Sequence, residues 1–170
     1  PPPLRSFLHY KNEGNLRELQ AMRRYHITRR DDYKQYNALC GQVTKLVATL
    51  RRLDPRDAAR LELTDALLDK LHDMGVITTK KSLAQLERLP TSAFCRRRLA
   101  VVMVRLRMAE ALREAAAFIE QGHVRVGPET VTDPAFLVTR AMEDFVTWVD
   151  TSRIRRKVLA YNDKLDDYDL

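Results

Sequence analysis

Five glycines in 170 residues leave little material for the glycine-rich loops that cradle phosphates, or for the tight turns of a sheet-rich fold. Cysteine is scarcer still. Cys40 and Cys95 are the only two, far apart and with no Cys-x-x-Cys or histidine spacing, so a disulfide framework and a zinc finger are both excluded. Each falls within a helical apolar pattern, as a buried free thiol in a reducing compartment would. No apolar run approaches the ~20 residues that span a bilayer. His9, His26, His72 and His123 show no metal spacing, and no Gly-x-Ser-x-Gly is present. Acidic pairs exist at Asp31-Asp32 and Glu143-Asp144, but a helix start and a solvated loop account for them. These absences argue against an enzyme, a metal site and a cofactor site. The chain opens Pro1–Pro3 without a methionine, and the expectation is that further natural sequence precedes it.

What the chain has is positive charge, unevenly spread. Thirty lysines and arginines face 23 aspartates and glutamates, a net charge of +7. Residues 1–60 carry 13 basic and 6 acidic side chains, and residues 91–125 carry 7 and 3. The last nine residues reverse the sign, with four aspartates against one lysine. Basic charge sited on particular elements favours a polyanionic partner, nucleic acid ahead of a membrane.

Helical periodicity dominates the first half. Pro1–Gly14 has weak periodicity and is expected along a surface. Leu16–Arg24 reads as a short helix ending in the basic-aromatic cluster Arg23-Arg24-Tyr25-His26. Thr28 is placed to cap the next helix, with Asp31 three residues on. Tyr33, Tyr36, Cys40, Val43, Val47 and Leu50 then recur at spacings of three and four, one apolar stripe on a long helix. Arg51-Arg52 oppose the dipole at its end, and Asp54-Pro55 closes it. Leu63, Leu67, Leu71 and Met74 predict the buried face of a second helix, stopped by Gly75. Leu83, Leu86 and Leu89 predict a short helix closed by Pro90.

Phe94–Val126 is the most informative stretch. Thr91 or Ser92 is placed to cap a helix that begins with the triplet Arg96-Arg97-Arg98. Leu99, Val102, Met103 and Leu106 form its apolar stripe. Arg98 and Arg105 border that stripe on one side, Arg96 and Arg107 on the other, so a central helix with arginines reaching to its rim is expected. The pattern breaks near Met108–Glu110. A second helix over Glu110–Gln121 turns Leu112, Ala115 and Ile119 inward, and Gly122 stops it. His123–Val126 alternates as a half-buried strand, and Thr130-Val131 is expected to pair back on it. Phe136–Val138 and Phe145–Val149 read as further short strands. Thr151-Ser152 begins a basic helix with Arg153, Arg155, Arg156 and Lys157, ahead of the acidic Asp163–Leu170.

Arginine, more than lysine, supplies the charge of this stretch. Guanidinium grips phosphate bidentately and stacks on bases, which suits folded RNA. Arg96, Arg97, Arg98, Arg105, Arg107, Arg113, His123 and Arg125 form the expected RNA-binding set. Arg23, Arg24, Tyr25, His26, Arg29 and Arg30 are candidate additional contacts. Tyr25 and His26 suit base stacking, with core or interface packing the equal alternative.

Arg98-Leu99, Val104-Arg105-Leu106-Arg107-Met108-Ala109-Glu110, Glu114-Ala115, Ile119 and Gly122-His123-Val124-Arg125-Val126 resemble the S4 RNA-binding domain, over roughly residues 95–140. In that family two helices and an adjacent β-hairpin region form a basic RNA-binding surface. The Ser-Arg that starts its second helix is Ala111-Leu112 here, with Arg113 alongside. The first helix and the strand are therefore expected to dominate the contact. Motifs outside this unit resemble more particularly the S4-domain proteins of the U3 small nucleolar ribonucleoprotein. Among them are Arg24-Tyr25-His26-Ile27, Leu68-Asp69-Lys70-Leu71, Met74-Gly75-Val76 and Val146-Thr147-Trp148-Val149-Asp150.

The fold class expected is α+β: an N-terminal helical brace over 1–90 packed on an S4-like unit of two helices and a small β-sheet over 91–150. A short basic helix and acidic tail over 151–170 complete the chain. The resemblance implies a nucleolar assembly factor of the small-subunit processome. Such a factor would bind U3 small nucleolar RNA, promote its pairing with precursor 18S ribosomal RNA, and associate with the M-phase phosphoprotein scaffold and other processome proteins. A structural protein of the mature small subunit, and a helical protein–protein adaptor with a vestigial S4-like unit, remain the alternatives.

Overall fold

A computed structural model describes residues 14–157 and 160–161. Its Cα framework divides into two compact units, Pro1–Arg97 and Arg98–Leu170. The surface run expected over Pro1–Gly14, apart from Gly14, which is helical, and the acidic Asp163–Leu170 lie outside the described residues. Among those described, no helix is long and apolar enough to cross a membrane.

The first unit is helical. Residues 14–24 form α1 and Arg30–Arg52 form α2, about 35 Å long at 1.5 Å per residue. The expected stripe is the buried one: Tyr36, Cys40, Val47 and Leu50 are buried, with Tyr33 and Val43 half-buried at its margins. Thr28 is not the cap. Arg29 holds that position in an extended conformation without a side-chain bond, and Asp31 and Asp32 supply the negative charge its first turn favours. Helix α3, Ala58–Asp73, is capped by Asp57, whose carboxylate accepts from the Ala59 amide at 2.9 Å. Its buried face overlaps the expected one, with Leu71 buried and Leu67 and Met74 half-buried, but takes in Leu68 and leaves Leu63 outside. Leu68 and Leu71 are buried, whereas Leu63 is 51% exposed. Leucines surround this helix, so spacing alone does not select a face, and contact with α2 decides which pair is buried. Leu83–Leu86 is a 3₁₀ turn against α2. The short helix α4, Ser92–Cys95, also meets α2, where Phe94 stacks on Tyr36 with ring centroids 6.2 Å apart.

The helix expected to run on through the arginine triplet is interrupted. After α4 the chain passes Arg96 and Arg97, and Arg98 is extended (φ −63°, ψ 140°) before α5, Leu99–Arg105. The Leu99 amide, free of an intrahelical partner at that first position, donates to the Phe136 carbonyl at 2.7 Å. Arg98 forms an antiparallel bridge with Leu137. Phe136–Val138 is thus a single bridge here and no strand of its own.

Helix α6, Leu112–Glu120, packs on α5. Behind it lies a three-stranded antiparallel sheet ordered β2-β1-β3, with β1 at Val124–Val126, β2 at Glu129–Thr130 and β3 at Val146–Trp148. The hairpin expected at Thr130 and the strand expected within Phe145–Val149 are both present. Leu99, Val102, Met103, Ala115, Ile119, Val124, Val126 and Val138 form the core between helices and sheet. Each fully buried aliphatic side chain there contributes about 1.5–3 kcal/mol. Phe118 meets Trp148 edge-on at 5.6 Å. Residues 153–157 are helical as expected and form α7. Helices with one small sheet make the protein α+β.

Candidate nucleic-acid interface

The arginine triplet splits three ways. Arg96 is exposed, Arg97 is 5% exposed and Arg98 is 3% exposed. Arg97 lies against Gly75, its Nε 2.5 Å from where a Cβ on that glycine would sit. A buried guanidinium held this way serves packing, because a phosphate arriving from solvent cannot reach it. Arg98 opens α5 from within the second unit and is equally enclosed.

Three exposed arginines of the second unit fall where α5 turns into α6, and Arg153 and Arg156 are exposed on α7. Arg105 closes α5, Arg107 lies two residues on, and Arg113 is in the first turn of α6; all three are exposed. The backbone explains why the bend presents them. The Met108 amide donates to the Met103 carbonyl at 2.9 Å and the Arg107 amide to Val104 at 3.1 Å. This is the Schellman closure of a helix C-terminus, which requires a left-handed residue and usually takes glycine. Helices α3 and α6 end in the same pair of bonds with Gly75 (φ 79°) and Gly122 (φ 80°) at that position. Helix α5 uses Arg107, at φ 61°. Leu106, between the two arginines, is itself 39% exposed. Glu143 forms an ion pair with Arg105. The α6 N-cap, Ala111, offers no side-chain acceptor, and Glu114 reaches back to the Glu110 amide at 3.3 Å.

The strand residues occupy different ground. Val124 and Val126 point into the core, so strand alternation sends Arg125 to the opposite face of the sheet. There its Nε donates to the Thr147 hydroxyl at 3.0 Å, with Asp150 at 4.0 Å. His123 is half-buried and shares a 2.9 Å hydrogen bond with Ser152, whose Oγ also accepts from the Ile154 amide at the start of α7. Arg105, Arg107 and Arg113 therefore form one group around the bend, while Arg125 and His123 are tied to β3 and the start of α7.

In the helical unit, Arg23, Arg24, Arg29 and Arg30 are exposed and Tyr25 is buried. The Arg24 guanidinium lies 5.6 Å from the centroid of the Tyr25 ring, so that ring is packed and already has a cation over it. Arg30 pairs with Glu18 at 2.6 Å. That hydrogen bond, ahead of the Coulombic attraction, holds the Glu18 carboxyl below the usual carboxylate range. His26, half-buried, is left-handed at φ 52°.

No motif in the sequence marks Glu143 as the partner of Arg105, nor the left-handed backbone at Arg107 and His26. The one available signal was negative, since both helices end without a glycine. Among the described residues, no group of three histidines, cysteines or carboxylates is placed to hold a metal ion.

Residues 97–144 match the S4 domain family, and residues 4–96 match the Ribosomal protein S4/S9 N-terminal domain. Over 165 residues the chain is 54% identical to the U3 small nucleolar ribonucleoprotein protein IMP3 of Homo sapiens, covering 96% of this chain and 90% of that protein. Its identity to the protein of the same name from Saccharomyces cerevisiae is 51% over 164 residues, with the same coverage. The small ribosomal subunit protein uS4 of Pyrobaculum aerophilum is 31% identical over 137 residues, 79% of this chain and 84% of that protein.

Proposed function

This chain belongs to the family of the U3 small nucleolar ribonucleoprotein protein IMP3, and from that premise we propose a non-enzymatic, RNA-binding assembly factor of the small ribosomal subunit, acting in the nucleolus. Its RNA is U3 small nucleolar RNA, which it helps to pair with precursor 18S ribosomal RNA. Residues 1–90 form the extension that engages the M-phase phosphoprotein scaffold and other processome proteins, 91–150 carry the RNA contact, and 151–170 follow as helix and tail.

Arg107 carries this reading. A left-handed arginine at a helix end where glycine would be less strained keeps a guanidinium at the bend, between Arg105 and Arg113. Three exposed cations around one turn suit the phosphates of a folded RNA. Arg96, in the helical unit, and Arg125 and His123, on the sheet, are secondary contacts in this proposal. Arg97 and Arg98 are left out of it because they are buried.

Crosslinking in cells, followed by sequencing of the attached RNA, tests the assignment. U3 and precursor ribosomal RNA should dominate, and reversing Arg105, Arg107 and Arg113 to glutamate should remove both. Recovery of mature 18S RNA from translating ribosomes would favour the second reading, a structural protein of the finished subunit. The likeness to uS4 motivates that reading, but identity of 31% against 54% places it second.

A further inference from the structure

Helix α1 ends the same way as α5. The Ile27 amide donates to the Met22 carbonyl at 2.8 Å and the His26 amide to Arg23 at 3.4 Å, again a Schellman closure with a side chain where glycine is favoured. Four helices thus share one terminal motif. The two lacking glycine put a basic or imidazole side chain there instead, Arg107 on α5 and His26 on α1. Beside His26 is an open hollow of about 400 Å³ lined by Leu19, Met22, Arg23, His26 and Ile27. Leu19, Met22 and Ile27 give it an aliphatic lining, and Leu19 is 49% exposed. Arg23 is the one arginine in its lining, and Arg29, two residues after Ile27 in the chain, is exposed.

We propose that this hollow on the helical unit is a second RNA site, taking one unpaired nucleotide of the bound RNA. The apolar floor receives the flat face of the base, the His26 ring borders it, and Arg23 and Arg29 meet the flanking phosphates. A paired base is excluded, because its faces are stacked within the duplex. An acidic peptide would satisfy the arginines, but it has no flat apolar surface beside each charge to fill the floor. The inference rests on the RNA-binding reading above and adds to it a preference for single-stranded nucleotides, lodged in the helical unit.

The test uses the full chain and two labelled RNA probes, a closed hairpin and the same hairpin with a short single-stranded overhang. The wild-type chain should bind the overhang probe more tightly, by roughly tenfold for one accommodated base. His26→Gly should erase that preference while leaving hairpin affinity unchanged and the melting temperature equal or higher, since glycine relaxes the left-handed position. His26→Asn, which also tolerates that backbone, should behave the same way, and Arg23→Glu should weaken the overhang probe selectively. Equal wild-type affinity for the two probes, or an undiminished preference in the His26 variants, would overturn the pocket and leave the bend at Arg107 standing. Displacement of the overhang by a polyglutamate peptide as readily as by free single-stranded RNA would assign the hollow to protein and overturn it. Failure of the wild-type chain to bind either probe would overturn the pocket and the RNA-binding reading together.

Discussion

The guanidinium of Arg97 occupies the space that a side chain on Gly75 would need. Its Nε lies 2.5 Å and its Cζ 2.6 Å from the position of a Cβ, and Gly75 is itself left-handed at φ 79°. A central arginine of the most basic run in the chain is thereby enclosed by the helical unit, and a glycine that reads as a helix stop is also a seat for it.

Gly75→Ala should destabilise the protein by about 2 kcal/mol or more, from the strained φ together with the collision with Arg97. Arg97→Ala removes the collision and leaves the φ strain. The double variant should therefore be less destabilised than the sum of the singles, by denaturant unfolding. Strict additivity would mean that the two residues do not share this space.

Arg107→Gly should separate stability from function. Glycine relaxes the left-handed helix end, gaining about 1 kcal/mol. The lost guanidinium should lower RNA affinity and reduce the salt slope by about one unit. Thermal melts and salt-dependent binding on one preparation check both; unchanged RNA affinity would remove Arg107 from the interface.

In the proposed interface Glu143 competes with RNA for Arg105 through their ion pair. Arg105 is well exposed, so the pair contributes within about 1 kcal/mol to stability. Glu143→Gln should thus melt close to the wild type and bind RNA severalfold more tightly at low salt, the gain fading as salt rises. Weaker binding would show that Glu143 positions Arg105 for the phosphate.

Cys40 is buried, and desolvation, partly offset by a hydrogen bond with Thr91, pushes its thiol pKa up. Burial also raises Tyr33. The folded protein then holds these protons to higher pH than the unfolded chain does. The associated stability is complete below the unfolded cysteine value of about 8.5 and is lost as pH rises through the folded values. Denaturant midpoints should fall on going from neutral to strongly alkaline pH, less steeply in Cys40→Ala. Neither Cys40 nor Cys95 should react with a thiol reagent at neutral pH until the protein unfolds.

Much of the fold was legible because it rests on local periodicity. The stripe from Tyr36 to Leu50 repeats at the helical interval, Gly75 and Gly122 stop helices where a left-handed residue is required, and His123–Val126 alternates as a strand does. On α3 the spacing picks out Leu67, Leu71 and Met74 but also Leu63, which is exposed, because leucines lie on too many sides of this helix for spacing to exclude one.

The sequence alone determined which segments are basic and helical, and that arginine is the cation they carry. Tertiary structure decided which of those arginines are exposed. A helix is set by neighbours three and four residues away, but its interruption at Arg98 depends on the Phe136 carbonyl that receives the Leu99 amide. Arg96 and Arg97 are adjacent in sequence and alike in composition, yet one is exposed and the other fills the gap above Gly75. Burial is a property of what the rest of the chain brings near, and no pattern within the triplet encodes it.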